Sequence, residues 1–127
     1  WQHVLEPLSG YLTQAYYLDT KKIESGEEFN FGPSIKNNSK VQDLIKELNK
    51  YWKNSKYTIK ENSDFHEAGL LHLNTDKAFN YLHWEPTLNF QETIQYTAEW
   101  YKKFYDQKEN MISFSIAQID KFESSMK

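Results

Sequence analysis

The 127-residue sequence contains no cysteine and no arginine, and its four glycines and three prolines are scattered singly. Without cysteine there is no thiol chemistry, no cysteine-held zinc and no disulfide; a reducing cytoplasm is compatible with that composition. All fifteen basic residues are lysine, so the chain lacks the planar fork that clamps phosphates and carboxylates in bidentate fashion. The lysines are dispersed among 18 acidic residues for a net charge of −3, which argues against a nucleic-acid surface. Isolated glycines supply no GxGxxG turn and no P-loop, so the chain holds no phosphate cradle. No apolar run approaches the roughly 20 residues that cross a bilayer, and no signal-peptide pattern is present.

Aromatic side chains are abundant: 17% of the residues are Phe, Trp or Tyr. That content is far too high for a disordered chain, although a mean hydropathy of −0.84 implies a thin core under a polar surface. The length suits one domain or a large piece of one. The chain opens on Trp1 in a dense WQHVLEP motif, from which we expect a piece of a longer protein.

Hydrophobic spacing predicts a helix-dominated chain. Pro7 suits a first helical turn, and Leu8, Leu12, Ala15 and Tyr16 repeat at helical spacing, with Tyr11 and Leu18 widening the stripe. The alternating EFNF run at 28–31, closed by Gly32-Pro33, reads as a short strand. Ser39 is a natural N-cap for a second helix through Val41, Leu44, Ile45, Leu48 and Trp52. Further short strands are expected at 57–59 and 70–73, around a polar loop at 61–66. Asn74 or Thr75 caps a short helix reaching Leu82. Asn89 caps the longest helix, whose buried side is expected to hold Phe90, Ile94, Thr97, Ala98, Tyr101 and Tyr105. Ile112, Ile116 and Ile119 mark the last helix. The short strands have no evident partners within the chain.

Few residues announce chemistry. His3, His66, His72 and His83 form no pair at metal-ligand spacing on a predicted helix. Tyr17 and Lys21 stand four apart at a frayed helix end and read as a solvated surface pair. The loop carrying Asp64, Phe65, His66 and Glu67 clusters polar groups with an imidazole, where either a solvated loop or a binding loop fits. Asn30, between two phenylalanines, is either a turn-former or a donor aimed at a ligand. Trp52, Trp84, Trp100 and Tyr101 read as core aromatics.

Taken in order, WQHVLEPLSGYL at 1–12, FNFGP at 29–33, HEA at 66–68, LHLNTDKA at 71–78, LHWEPTLNF at 82–90, TAEWY at 97–101 and ENMISFSIAQID at 109–120 resemble one family. They are similar to the C-terminal part of the extended short-chain dehydrogenase/reductases acting on nucleotide sugars, nearest to the CDP-glucose 4,6-dehydratases. The resemblance implies an α/β protein, of which this chain is the mostly helical substrate-binding portion with short strands, lacking the main Rossmann sheet. It implies a cytoplasmic lyase of bacterial deoxysugar biosynthesis, feeding surface polysaccharides such as O-antigen and lipopolysaccharide. In that family a bound NAD oxidises carbon 4 of CDP-glucose, water leaves across carbons 5 and 6, and the hydride returns to carbon 6. The glycine-rich turn and the tyrosine–lysine pair of that chemistry lie N-terminal to the matched part, so residues 1–127 alone are expected to be inactive. No catalytic, cofactor-binding or metal residue is therefore assigned. By the same resemblance Asn30 contacts the nucleotide diphosphate, and Asp64, Phe65, His66 and Glu67 wrap the nucleotide. An arginine common in that loop is missing here. A homo-oligomer is implied for the whole enzyme, with CDP-glucose as its small-molecule partner and neither nucleic acid nor membrane. The rival readings are the corresponding part of a dTDP-glucose dehydratase or UDP-sugar epimerase and, in a different class, a stand-alone helical binding module.

Overall fold

The computed structural model describes residues 1–37, 39–52, 57–58, 72–106 and 110–126. Among these residues five α-helices and one 3-10 turn follow in order: α1 (Leu5–Asp19), the turn Ile35–Asn37, α2 (Val41–Tyr51), α3 (Asp76–Leu82), α4 (Phe90–Asp106) and α5 (Met111–Ser125).

Local chemistry sets the helix ends. Asn89 and Glu92 form a reciprocal cap on α4: the Glu92 amide donates to Asn89 Oδ1 at 2.9 Å, and the Asn89 amide donates to Glu92 Oε2 at 2.8 Å. Asn110 caps α5 by accepting the Ile112 amide at 3.0 Å. Asn74 Oδ1 receives the Asp76 amide at 2.8 Å and starts α3. The N-cap of α2 is Lys40, one residue after the expected Ser39, and its amide donates to Asp43 Oδ2 at 3.3 Å. α1 ends with Lys21 in the left-handed region, φ 56°. There the Lys21 amide donates to the Leu18 carbonyl and the Lys22 amide to the Tyr17 carbonyl, which satisfies two orphan carbonyls.

The expected strand at 28–31 does not form, and the described residues contain no strand at all. Alternation makes a strand only where a second backbone offers a ladder, and none is offered among the described residues. The expected mostly helical portion without a main sheet is what the structure shows, and only its short strands are corrected, to irregular segments among the described residues. Of the other expected strands, 57–58 and 72–73 are irregular, while 59 and 70–71 lie outside the described residues. Even so, the 30–32 and 73–75 segments lie side by side. Asn30 Nδ2 donates to the Asn74 carbonyl at 3.4 Å. A Cβ on Gly32 would come within 3.1 Å of Leu73 Cβ.

Two small cores hold the helices. Phe31, Ala78, Leu82 and Trp84 form the first, where α1 meets α3. Leu88, Tyr96 and Phe122 form the second, with Leu5 packed against it. α4 packs on both α2 and α5.

Gly10 faces the first core, and a Cβ there would lie within 2.6 Å of the Phe31 ring. Alanine favours a helix over glycine by about 1 kcal/mol, but the overlap with a ring already packed on Trp84 outweighs that gain. Gly10→Ala is expected to destabilise the chain by about 1–2 kcal/mol in urea denaturation. A stabilised variant would show that the Phe31 ring moves freely.

Candidate functional site

The paired 30–32 and 73–75 segments lead into a cleft of about 590 Å³. Its wall includes Ser34, His72, Asn74, Asp76, Trp84 and Glu85. Trp84 closes one side as part of the core below: it is 4% exposed, and its Nε1 donates to Ser9 Oγ at 2.9 Å. Asn30 reaches this wall through its bond to Asn74 and is itself exposed, leaving its amide accessible. Asn74 is committed twice, since its Nδ2 also donates to Asp76 Oδ2 at 3.2 Å.

The electrostatics of the cleft favour one kind of ligand group. Among the described residues, two carboxylates, Asp76 and Glu85, and no lysine line it. The nearby Lys77 is paired with Glu27 and lies over the Phe29 ring at 4.9 Å. Acceptors and neutral donors of this kind suit sugar hydroxyls, whereas carboxylates repel a diphosphate.

Of the five residues singled out in the sequence, only Asn30 is described. Asp64, Phe65, His66 and Glu67 lie outside the described residues. The cleft residues His72, Asn74 and Asp76 carry no chemical signal in the sequence beyond their place in the LHLNTDKA motif.

A charged residue that positions the site gives little sign of itself in the sequence. Glu6 is 1% exposed. Its Oε1 accepts the Leu88 amide at 2.6 Å and the Thr87 amide at 3.0 Å, and its Oε2 accepts Thr87 at 3.1 Å. α1 is thereby tied to the loop between Trp84 and α4. Burial pushes the Glu6 carboxyl up, the two amides pull it down, and nearby Glu92 adds to the rise. Its only sequence signal is that of a carboxylate heading a run that is uncharged from Pro7 to Leu18.

A second cavity, of about 430 Å³, lies where residues 2–5 meet α4 and α5. Its lining is mainly apolar and includes His3, Trp100 and Ile119. His3 Nδ1 accepts the Leu5 amide at 3.4 Å, and burial holds the imidazole below its ordinary 6.5.

Known proteins give this geometry a context. The chain is 32% identical over 126 residues, 98% of its length, to the CDP-glucose 4,6-dehydratase of Salmonella typhimurium. It is a relative of that dehydratase. The chain spans 35% of the length of the Salmonella protein. No family model matches.

The NAD expected from the sequence would demand particular glycines. Gly10 lies inside α1 against Phe31, and Gly32 lies against Leu73. Gly26 stands alone in a turn at φ 92°. None follows a strand or opens a helix, as a pyrophosphate turn requires. Among the described residues, therefore, no glycine fits a dinucleotide's pyrophosphate turn. Among the described residues no helix is long and apolar enough to cross a membrane.

Proposed function

We propose that this chain is the nucleotide-sugar-binding portion of a CDP-glucose 4,6-dehydratase and is inactive without an NAD-binding unit. The observation that carries this reading is the 32% identity to the Salmonella dehydratase along 98% of the chain. The cleft beside Asn30 supports it, because its hydroxyl-compatible wall suits the sugar end of such a ligand. In this reading Asn30 donates to the diphosphate at the margin of the cleft. Asp64, Phe65, His66 and Glu67 close over the nucleotide, with His66 donating to the diphosphate. The whole enzyme uses NAD to convert CDP-glucose to CDP-4-dehydro-6-deoxyglucose, an activity that belongs to the cytoplasm and to a homo-oligomer.

The test is calorimetric titration of the chain with CDP-glucose, dTDP-glucose and UDP-glucose. CDP-glucose is expected to bind best. Asn30→Ala weakens it by about two- to tenfold, the loss of one hydrogen bond from a neutral amide. His66→Ala weakens it by about ten- to a hundredfold, because a bond to a charged group is worth roughly 1.5–3 kcal/mol. Incubation of the chain with CDP-glucose and NAD gives no 4-dehydro product. Equal affinity for the three sugars, or affinity unchanged by both substitutions, overturns the reading.

A further inference from the structure

The cavity of about 430 Å³ where residues 2–5 meet α4 and α5 shares no wall residue with the cleft beside Asn30. Among the described residues no Asp, Glu or Lys lines it. Its imidazole, His3, is 9% exposed, and burial holds it below its ordinary 6.5. At neutral pH the wall carries no charge, so an ion entering it would leave water without a counter-charge.

The polar side chains of the wall are each half committed. His3 Nδ1 accepts the Leu5 amide at 3.4 Å, so the neutral ring carries its proton on Nε2. Ser115 Oγ accepts the Trp100 indole N–H at 2.9 Å and keeps its own proton to donate. Gln118, 8% exposed, donates from Nε2 to the Tyr96 carbonyl at 3.0 Å. Gln2 donates from Nε2 to the Phe31 carbonyl at 3.3 Å. The amide oxygens of both glutamines accept from no described group, and that of Gln2 is buried. A buried amide oxygen without a donor is rare in a folded protein and calls for one.

The rings of the wall select a shape. The Trp100 indole meets the Tyr101 ring edge-on, ring centres 5.4 Å apart. Such a pair favours a flat aromatic guest, by stacking or by edge contact. The volume falls within the range of about 300–1,000 Å³ usual for small-molecule sites.

We propose that this cavity binds a small, uncharged aromatic lactam, its ring against Trp100 and Tyr101. The lactam N–H donates to the Gln118 amide oxygen, and the lactam carbonyl accepts from His3 Nε2 or the Ser115 hydroxyl. None of these residues belongs to the cleft assigned to the nucleotide sugar.

The test is titration of the chain with carbostyril, the lactam of quinoline, followed by heteronuclear NMR of the side-chain N–H groups. A dissociation constant of about 1 mM or tighter is expected. The Trp100 indole and Gln118 carboxamide signals move, and the Trp84 indole signal does not. N-methylcarbostyril has the same ring without the donor and binds about five- to tenfold more weakly. Quinoline carboxylate, which brings a charge, binds at least about tenfold more weakly. Gln118→Leu removes the acceptor and narrows the gap between carbostyril and its methylated form. Ile119→Trp fills the cavity from a partly exposed position and weakens carbostyril by about fivefold or more. It leaves every hydrogen bond of the wall in place, and so carries the test if Gln118→Leu does not fold. No binding at millimolar carbostyril, equal affinity for the methylated compound, or shifts centred on Trp84 overturn the proposal. Displacement of carbostyril by CDP-glucose also overturns it, by making the cavity part of the nucleotide-sugar site. Failure of CDP-glucose to bind is read separately, because the two sites report through different tryptophans, Trp100 and Trp84.

Discussion

Glu6→Ala is expected to be strongly destabilising at neutral pH. The carboxylate accepts the Thr87 and Leu88 amides, and it lies 1% exposed between α1 and the segment entering α4. Truncation takes the acceptor from two donors, and each buried unpaired donor costs about 1–3 kcal/mol, for a total of about 2–6 kcal/mol. Small domains are stable by about 5–15 kcal/mol, so the loss is a large share of the whole. Glu6→Gln keeps an acceptor oxygen for both amides, which Oε1 alone already bonds, and is expected to cost less. The two variants also differ in pH dependence. The folded carboxyl titrates above its ordinary 4.5, because burial outweighs the two amides. Its contribution is therefore fully present below pH 4.5 and is lost as pH rises through the raised folded value. Glu6→Gln removes that slope. Urea denaturation of the three proteins between about pH 4 and 7 measures both effects. A Glu6→Ala chain as stable as the parent would show that water satisfies the two amides.

Sequence spacing places all five helices because caps and periodicity are local. Asn89 and Asn74 each signal a helix start, and each accepts an amide of the first turn in the structure. Which face is buried is not local. Spacing alone turns the stripes Leu8–Leu12–Tyr16 and Ile112–Ile116–Ile119 inward, yet all six residues are exposed. The same holds for Tyr101 and Tyr105 of α4, whereas Phe90, Ile94 and Ala98 are buried as expected. Periodicity identifies a face that seeks cover; it does not say that the same chain supplies the cover. Buried polar groups are illegible for a related reason. Gln118 donates to the Tyr96 carbonyl 22 residues away, and Glu6 accepts the Thr87 amide 81 residues on. Within the site, Asn30 stands out because an amide between two phenylalanines is unusual. His72 and Asp76 do not, because only the approach of 30–32 to 73–75 turns them into a wall.

Trp84→Ala is expected to be the most damaging substitution in the wall of the cleft, for both stability and binding. The indole sits edge-on to Phe31, ring centres 5.0 Å apart, in the core shared with Ala78 and Leu82. Truncating a buried tryptophan to alanine removes packing that nothing nearby can refill, at about 3–5 kcal/mol. The indole N–H adds a smaller, separable part. Ser9→Ala removes its acceptor at 2.9 Å and leaves a part-buried donor unpaired, at about 1 kcal/mol. Trp84→Phe keeps a ring against Phe31 but surrenders the bond and some volume, and so falls between the two. The functional consequence follows from place, since Trp84, Glu85 and Pro86 line the cleft together with Asn74 and Asp76. If CDP-glucose occupies that cleft, its affinity falls in the order Ser9→Ala, Trp84→Phe, Trp84→Ala, matching the order of stability. Binding to Trp84→Phe, measured where that variant remains folded, separates the two roles. Undiminished CDP-glucose affinity in a folded Trp84→Phe chain would place the sugar away from this wall, leaving the tryptophan a core residue alone.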